Sequence, residues 1–299
     1  MKVVALAGGF GGARFARALA ESDAELTVIG NVGDDAEILG LHISPDLDSI
    51  LYSLAGLGDE ERGWGRAGET WNALDTVSTL GGETWFQLGD RDLGLHLLRT
   101  QALREGESLS SITTRFARAF GIGVVVLPAT DDELRTHVET PAGEFTFQDW
   151  YVGRRHEDEV TAVSYEGDAE AAPGVLEAIE EADLIAIAPS NPFLSIGPIL
   201  AVGGIRTAIE SRRVPSVAVS PLIGGRTVKG PADRMLERFA GGTSPAHVGG
   251  VYEGLIDRLV VDEADSGAGD HIVTRTLMSD EAARRTLAEA ILEAAAVAR

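Results

Sequence analysis

Four aspartates near the start of the chain have the spacing of a site for a hard divalent cation. Asp34 and Asp35 are adjacent, and Asp46 and Asp48 follow in the next segment. The chain has no cysteine, and its six histidines show no metal-type spacing, so oxygen ligands remain and favour Mg²⁺. Any one of these acids could instead cap a turn or a helix. Together they predict a magnesium site.

A glycine-rich segment, residues 8–12, precedes these acids and follows a short apolar run. Glycines let the backbone approach a phosphate, and a helix that begins there directs free N–H groups toward that phosphate. The same residues would also suit a strand-to-helix turn that binds nothing. The dinucleotide pattern G-x-G-x-x-G is incomplete, because Arg14 occupies the place of the third glycine. The predicted diphosphate cradle consists of Gly8, Gly9, Gly11 and Gly12.

Aromatic and charged residues stand together in the middle of the chain. Trp85 and Phe86 precede the run Asp90-Arg91-Asp92. The two rings could flank a flat heterocycle. They could equally belong to the core while one of the aspartates caps a helix.

Two later loops carry candidate contacts to a nucleotide. Ser190 and Asn191 stand between two prolines that stiffen the loop, and their side chains can read a base edge or hold a phosphate. The prolines could also do no more than end a strand. Lys229, one of two lysines in the chain, precedes a predicted helix and is either a phosphate contact or a solvated loop residue.

The composition is that of an ordinary globular protein, with 44% hydrophobic and 24% charged residues. The net charge of −22 is opposite to the basic surface of nucleic-acid-binding proteins, so no nucleic-acid partner is expected. No apolar run approaches the ~20 residues that a membrane span needs. The first residues lack the pattern of a signal peptide. These features predict a cytoplasmic enzyme without a membrane partner.

The candidate residues follow continuous apolar runs, which are typical of strands covered on both faces. The first run, the glycine segment, a helix and a second run form a βαβ unit, which predicts a parallel sheet. Ligands of such sheets bind at the carboxyl ends of the strands, so the candidates are expected to meet at one edge. Strands are predicted at residues 2–7, 25–29, 122–127, 183–188 and 216–220.

We therefore predict an α/β fold, a Rossmann-like three-layer α/β/α arrangement with a mostly parallel sheet and a mostly helical insertion. Residues 1–52 and 121–299 form the predicted nucleotide-binding core, and residues 53–120 form the insertion. A hairpin is expected over residues 135–140 and 144–148, and Ser279 or Asp280 is expected to cap the final helix. Other helices are predicted at residues 13–20, 92–104, 109–119, 198–212 and 231–239.

Taken in order, these segments resemble the CofD family, known in actinobacteria as FbiA. The resemblance spans nearly the whole chain, and residues 69–72 are similar to the actinobacterial branch. Each motif is weak alone, whereas the ordered set is specific. The motifs are residues 8–13, 31–35, 40–48, 63–65, 88–93, 147–150, 189–192, 195–200 and 220–231.

The resemblance implies a Mg²⁺-dependent, homodimeric transferase of coenzyme F-420 assembly. Such an enzyme moves a 2-phospholactyl or phosphoenolpyruvyl group from a guanosine-diphosphate-activated donor to the deazaflavin alcohol Fo and releases GMP. Whether the three-carbon acid is lactate, enolpyruvate or glycerate stays open. The implied metal ligands are Asp34 and Asp48, with Asp46 as a further one, and Asp34 and Asp48 are the implied catalytic residues. The glycine segment with Ser190 and Asn191 would bind the nucleotide, and Asp90, Arg91 and Asp92 in the insertion would lie near the Fo pocket.

Two other functions compete with this one. A regulatory nucleotide-sugar-binding protein of the YvcK type would have a similar glycine turn but no transfer chemistry. The extended motif at residues 45–48 and the run at residues 88–93 favour the transferase over it. An NAD-dependent dehydrogenase is disfavoured by the missing third glycine and by the several acids.

Overall fold

The computed structural model describes residues 1–267 and 269–297 of the chain. Short π-helical turns lie at Asp149–Gly153 and Pro192–Ile196, and a 3₁₀ turn lies at Glu263–Asp265. The strands are β1 (Lys2–Ala7), β2 (Glu25–Gly30), β3 (Ala36–Ile38), β4 (Leu41–Ile43), β5 (Val125–Pro128), β6 (Arg135–Thr140), β7 (Gly143–Thr146), β8 (Ala162–Glu166), β9 (Leu184–Ile187), β10 (Ser216–Val219), β11 (Leu222–Ile223), β12 (Arg226–Thr227), β13 (Arg258–Asp262) and β14 (Ile272–Thr274). The α-helices are α1 (Gly9–Ala20), α2 (Pro45–Ala55), α3 (Asn72–Thr79), α4 (Asp90–Arg104), α5 (Leu109–Ala119), α6 (Val175–Glu181), α7 (Gly197–Ala201), α8 (Ile205–Glu210), α9 (Ala232–Ala240), α10 (Pro245–Val251) and α11 (Glu281–Val297).

Seven parallel strands form the central sheet in the order β14-β13-β10-β9-β1-β2-β5. β1 lies between β2 and β9, with Val3 opposite Leu26 on one side and Leu184 on the other. Alternate residues of β1 face two separate apolar cores, because side chains alternate across a strand. The core on one face holds α1, α2, α4, α5 and α11, and the core on the other holds α6, α7, α8, α9 and α10. The predicted three-layer α/β/α fold is confirmed.

The glycine segment differs from its prediction, because α1 begins at Gly9 rather than at residue 13. The glycines are therefore the first turn of the helix, with Gly8 as its N-cap. A Cβ at Gly11 would lie 2.9 Å from the carbonyl oxygen of Pro189, and one at Gly12 would lie 2.9 Å from Ser190 Oγ. Close packing against the 189–190 loop therefore requires glycine here, although glycine is a poor helix former.

The predicted single helix over residues 198–212 is wrong. It is divided into α7 and α8 by Val202, Gly203 and Gly204, and Gly204 has a left-handed φ of 83°. The N–H of Gly203 donates instead to the carbonyl of Ala169 at 2.8 Å.

Asp280 caps the final helix, since its Oδ1 accepts from the N–H of Ala283 at 2.9 Å.

The predicted insertion contains α3, α4 and α5. Its predicted start at residue 53 falls within α2, which ends at Ala55. Sequence patterns did not indicate α3, and the reason is that none of its residues is buried, so it carries no apolar periodicity. The division into core and insertion stays a prediction.

Within the described ranges, the helices all fall short of the length and apolar character that a membrane crossing requires.

Replacing Gly11 with alanine should destabilise the protein by about 1–3 kcal/mol, because the added methyl group would overlap the backbone of Pro189. Gly94→Ala is the matched control, since Gly94 also lies within a helix but its Cβ would meet nothing within 4 Å. That variant should gain about 0.5–1 kcal/mol. Urea unfolding measures both, and equal stabilities would contradict the packing argument.

Candidate active site

One large cleft, of about 1110 Å³, lies at the carboxyl edge of the central sheet. Its floor is formed by residues of the loops that follow β1, β2, β9 and β10. The segment 60–65 and the start of α4 form a side wall. Of the predicted site residues, those that line the cleft are Gly8, Gly9, Gly11, Asp34, Asp46, Asp48, Asp92, Ser190, Asn191 and Lys229. Gly12, Asp90 and Arg91 lie outside its lining.

The structure brings Asp34 and Asp46 together through one amide group. The side-chain Nδ2 of Asn31 donates to Asp34 Oδ1 at 2.7 Å and to Asp46 Oδ2 at 3.0 Å. Asn31 is fully buried, and its Oδ1 accepts from the N–H of Gly33 at 2.8 Å, which fixes the amide orientation. The tight turn after β2 therefore holds two carboxylates side by side.

This carboxylate pair is buried, and each of the two residues is no more than 5% exposed. Burial, and then the charge of Asp46, raises the pKa of Asp34 well above its usual range. Burial raises the pKa of Asp46 to about 6, against the opposing hydrogen bond from Asn31. Within residues 1–267 and 269–297, neither carboxylate forms a salt bridge with a lysine, arginine or histidine. Two desolvated oxygen ligands without a compensating cation fit a hard divalent ion.

Asp48 lies in the same cleft but already has a cationic partner. Both oxygens of its carboxylate accept from the guanidinium of Arg99, and Arg99 Nη1 lies 3.1 Å from Asp48 Oδ2. His96 Nδ1 lies 3.6 Å from the same oxygen. Burial lowers the pKa of His96 to about 4, so this imidazole is neutral at pH 7 and Arg99 supplies the charge. Asp48 therefore fits a metal less well than Asp34 and Asp46 do.

Asp35 supports the turn rather than the cleft. His42 Nε2 lies 3.0 Å from its Oδ2, and the hydroxyl of Ser44 donates to the same oxygen at 2.7 Å. These contacts tie the turn after β2 to the β3–β4 hairpin and to the start of α2. Gln148 adds a further tie, because its Nε2 donates to the carbonyl of Asp34 at 2.8 Å.

The predicted nucleotide loop is held by its own hydrogen bonds. Ser190 Oγ donates to the carbonyl of Gly8 at 2.7 Å, which joins this loop to the N-terminus of α1. Asn191 Oδ1 accepts from the N–H groups of Phe193 and Leu194 and so caps the π-helical turn. Both side chains therefore shape the loop, and both remain part of the cleft lining.

Lys229 joins its own loop, which lines the cleft, to the segment 60–65. Its Nζ donates to the carbonyls of Arg62 and Gly63 at 3.3 and 3.2 Å, and it lies 5.6 Å from the ring centre of Phe10. Burial lowers the pKa of its ammonium group. The lysine thus contributes positive charge to the cleft while it contacts the segment 60–65.

Asp90 and Arg91 have structural roles. The Asp90 carboxylate accepts from Thr70 Oγ1 and from the side chain and N–H of Asn72, as well as from the N–H of Ala73. These hydrogen bonds hold the pKa of Asp90 far below its usual range and cap α3. Arg91 Nη1 donates to the carbonyl of Ala67 at 3.2 Å. Of the run Asp90-Arg91-Asp92, only Asp92 lines the cleft.

Sequence reasoning missed several cleft residues that follow β7. Tyr151 stacks between Phe147 and His156, with ring centres 5.0 and 4.6 Å apart. Arg155 and His156 have left-handed φ angles of 55° and 44°, and both line the cleft. The motif at residues 147–150 indicated this region, but no sequence signal indicated its stacked rings.

A different group of possible ligands lies on the small antiparallel sheet. His137, Glu144 and Glu166 form the one described set of three or more acidic or imidazole side chains close enough to share an ion. The imidazole nitrogens lie 3.5 Å from each glutamate, and both glutamates are exposed. Exposed groups of this kind are common without a metal. Asp34, Asp46 and Asp48 do not converge in this way.

The parallel sheet, the glycine-led helix after its central strand and the acidic cleft at its carboxyl edge define a Rossmann-like α/β protein of the ligand-binding class. Residues 3–292 match the family described as 2-phospho-L-lactate transferase CofD. The chain belongs to the CofD family, which confirms the resemblance seen in the sequence. It is accordingly a transferase.

Similar curated sequences support this membership, and a solved structure has a similar fold. A phosphoenolpyruvate transferase of Streptomyces griseus is 45% identical over 282 residues, which cover 91% of this chain and 89% of that protein. Another, of Mycolicibacterium smegmatis, is 38% identical and covers 99% of both chains. The crystal structure of a member of the UPF0052 family from Bacillus halodurans matches with a TM-score of 0.62 at 18% identity, over 97% of this chain and 98% of that one. This last likeness shows a shared fold.

Replacing Arg99 with leucine should cost about 3–5 kcal/mol, because Asp48 would keep a buried charge without a partner. The double variant Asp48→Asn, Arg99→Leu should recover most of that loss, since no isolated charge remains. Urea unfolding of the two single variants and the double variant measures the coupling. Additive losses would mean that Asp48 and Arg99 do not depend on each other.

Proposed function

We propose that this enzyme transfers a phosphorylated three-carbon acid from a guanosine-diphosphate-activated donor to the deazaflavin alcohol Fo in coenzyme F-420 assembly, with release of GMP. The observation that carries this proposal is the buried, uncompensated pair of Asp34 and Asp46 at the carboxyl edge of the sheet. Such a pair supports a Mg²⁺ site, and phosphoryl chemistry is where enzymes commonly use one.

The cleft has room and charge for both substrates. Its volume exceeds the upper end of the ~300–1,000 Å³ range of sites for one drug-sized ligand. Arg14, Arg62, Arg155 and Lys229 line it and can face the anionic donor. The N-terminus of α1 adds free backbone N–H groups, which favour a phosphate.

The proposed reaction forms one P–O bond and breaks another. The acceptor hydroxyl oxygen attacks the phosphorus that bears the three-carbon acid, and the hydroxyl proton passes to water. The bond from that phosphorus to the GMP oxygen breaks, and the electron pair stays on the departing GMP. Mg²⁺ held by Asp34 and Asp46 would offset the negative charge on the phosphates. The residues of this chain would align the two substrates, and alignment supplies much of such catalysis.

Phosphoenolpyruvate is the three-carbon acid that we favour. The relatives in Streptomyces and Mycolicibacterium are named phosphoenolpyruvate transferases, whereas the family description names 2-phospho-L-lactate. These names also favour a transferase over a regulatory nucleotide-sugar-binding protein. Mass spectrometry of the products from Fo, Mg²⁺ and each guanylated donor distinguishes the acids, and the enolpyruvyl product should dominate. If none of the donors yields a transfer product, the proposed function is wrong.

Asp34→Asn and Asp46→Asn should each lower the transfer rate by ~10²–10³, because an amide cannot compensate a divalent ion as a carboxylate does. Glu144→Gln makes the same chemical change on the small sheet and should leave the rate unaltered. Calorimetric titration with Mg²⁺ provides a readout that is independent of turnover. Full activity and normal Mg²⁺ affinity in Asp34→Asn and Asp46→Asn would contradict this assignment.

GDP should protect the protein against thermal unfolding by about 2.7 kcal/mol at a hundredfold excess over its Kd. Lys229→Met should weaken this protection, because the ammonium group would no longer face the phosphates. A UDP-sugar and NADH serve as control ligands in the same thermal-shift measurement. Protection by either of these with none by GDP would support one of the competing functions instead.

A further inference from the structure

Lys229 follows a hairpin that is too small to hold its own position. β11 and β12 have two residues each, and Ile223 stands opposite Arg226 across the turn Gly224-Gly225. Both turn glycines have left-handed φ angles, 59° and 71°, as a type I′ hairpin turn requires. A two-stranded hairpin is at best marginally stable alone. Contacts from elsewhere in the fold must therefore orient it.

Asp265, in the 3₁₀ turn after β13, supplies two of these contacts. Its Oδ2 accepts from the N–H of Gly224 and its Oδ1 accepts from the N–H of Gly225, each at 2.8 Å. Hydrogen bonds to an ionised carboxylate are stronger than those between neutral groups. Because each oxygen binds a different N–H of the turn, the carboxylate fixes both the position and the tilt of the hairpin.

The 3₁₀ turn is itself anchored to the central sheet. Asp262, the last residue of β13, is 7% exposed, and its Oδ1 accepts from the N–H of Ala264 at 3.1 Å. Its Oδ2 accepts from the N–H and the hydroxyl of Thr276 at 2.9 and 3.0 Å. Thr276 lines the cleft, whereas Asp262 and Asp265 lie outside its lining. The end of β13 therefore supports this side of the cleft from behind.

The far end of the hairpin passes directly into the cleft. Thr227 Oγ1 donates to the carbonyl of Gly230 at 2.9 Å, which closes the short loop that contains Lys229. The ammonium group of Lys229 then reaches the carbonyls of the segment 60–65. A movement of the hairpin would therefore displace this ammonium group.

We propose that Asp265 is a positioning residue, which holds the β11–β12 hairpin so that Lys229 faces the phosphates of the donor. This inference rests on the proposed function, in which Lys229 contacts a guanosine-diphosphate-activated donor. Asp265 touches no substrate in this role and acts only through Lys229. If the hairpin were loose, part of the binding free energy would be lost in ordering it around the donor.

The first test is a double-mutant cycle measured by calorimetric titration with GDP. Asp265→Asn should weaken GDP binding about fivefold, because its amide nitrogen cannot accept a hydrogen bond from the turn. Lys229→Met should weaken GDP binding at least as much. The double variant should bind GDP no more weakly than Lys229→Met alone, since Asp265 then has no ammonium group to position.

Asp131→Asn is the matched control. Both oxygens of the Asp131 carboxylate accept hydrogen bonds, from the N–H and the hydroxyl of Ser110 at 2.6 and 2.7 Å, and Asp131 lies outside the cleft lining. This variant should lower the Tm, as Asp265→Asn should, but it should keep the wild-type affinity for GDP. A loss of affinity that merely followed stability would appear in both variants.

A second readout needs no ligand. Lys2 and Lys229 are the only lysines of the chain, so protein labelled with carbon-13 at the lysine Cε gives two NMR signals that report the ammonium groups. Burial lowers the pKa of Lys229. In Asp265→Asn this ammonium group should become more solvated, so its pKa should rise toward the ordinary value. The titration of Lys2 should not change.

The inference would be overturned by additive losses in the double variant, by an unchanged GDP affinity in Asp265→Asn or Lys229→Met, or by an unchanged Lys229 titration in Asp265→Asn. Failure of the wild type to bind GDP would instead count against the proposed donor, and pyrophosphate then replaces GDP as the probe in the same cycle. The expected pattern with pyrophosphate would support the positioning role for a different phosphorylated ligand. Absence of binding by both probes would overturn both proposals.

Discussion

The site depends on two carboxylates, Asp34 and Asp46, that share one amide in a buried position. Such an arrangement is unfavourable alone, because burial and mutual repulsion both oppose ionisation. The surrounding structure must therefore hold it. The fixed amide of Asn31 does so from the turn after β2, and Gly8 leaves the space, since a Cβ there would lie 2.6 Å from Asp46 Oδ2. A bound cation would relieve the repulsion, which links folding of this edge to the proposed chemistry.

A second buried charge connects the core to the predicted insertion. Asp48 on α2 and Arg99 on α4 form an ion pair that is almost fully removed from solvent. Because this ion pair is neutral overall, α4 packs against the core without adding net charge near Asp34 and Asp46. The same docking brings Asp92 and Tyr52 to one side of the cleft. Asp34 and Asp46 thus form a buried pair beside Asn31, whereas Asp48 belongs to a structural ion pair with Arg99.

The sequence predicted the parts of the fold that depend on local pattern. β1 and α5 were predicted with their observed bounds, because continuous apolar runs and helical periodicity are local properties. The sequence grouped Asp34, Asp46 and Asp48 but could not separate them, since the partner of Asp48 is 51 positions away. Likewise, Asp90 and Asp92 are both aspartates and stand two positions apart. Only packing shows that Asp90 caps a helix whereas Asp92 lines the cleft. The start of α1 was missed because tertiary contact overrides the low helix propensity of glycine.

The most direct test of the metal assignment is crystallographic. Crystals grown with Mn²⁺, an oxygen-preferring substitute for Mg²⁺, would be measured at a wavelength where manganese scatters anomalously. We expect one strong anomalous peak in contact with the carboxylates of Asp34 and Asp46. A peak confined to His137, Glu144 and Glu166, with none between Asp34 and Asp46, would contradict it.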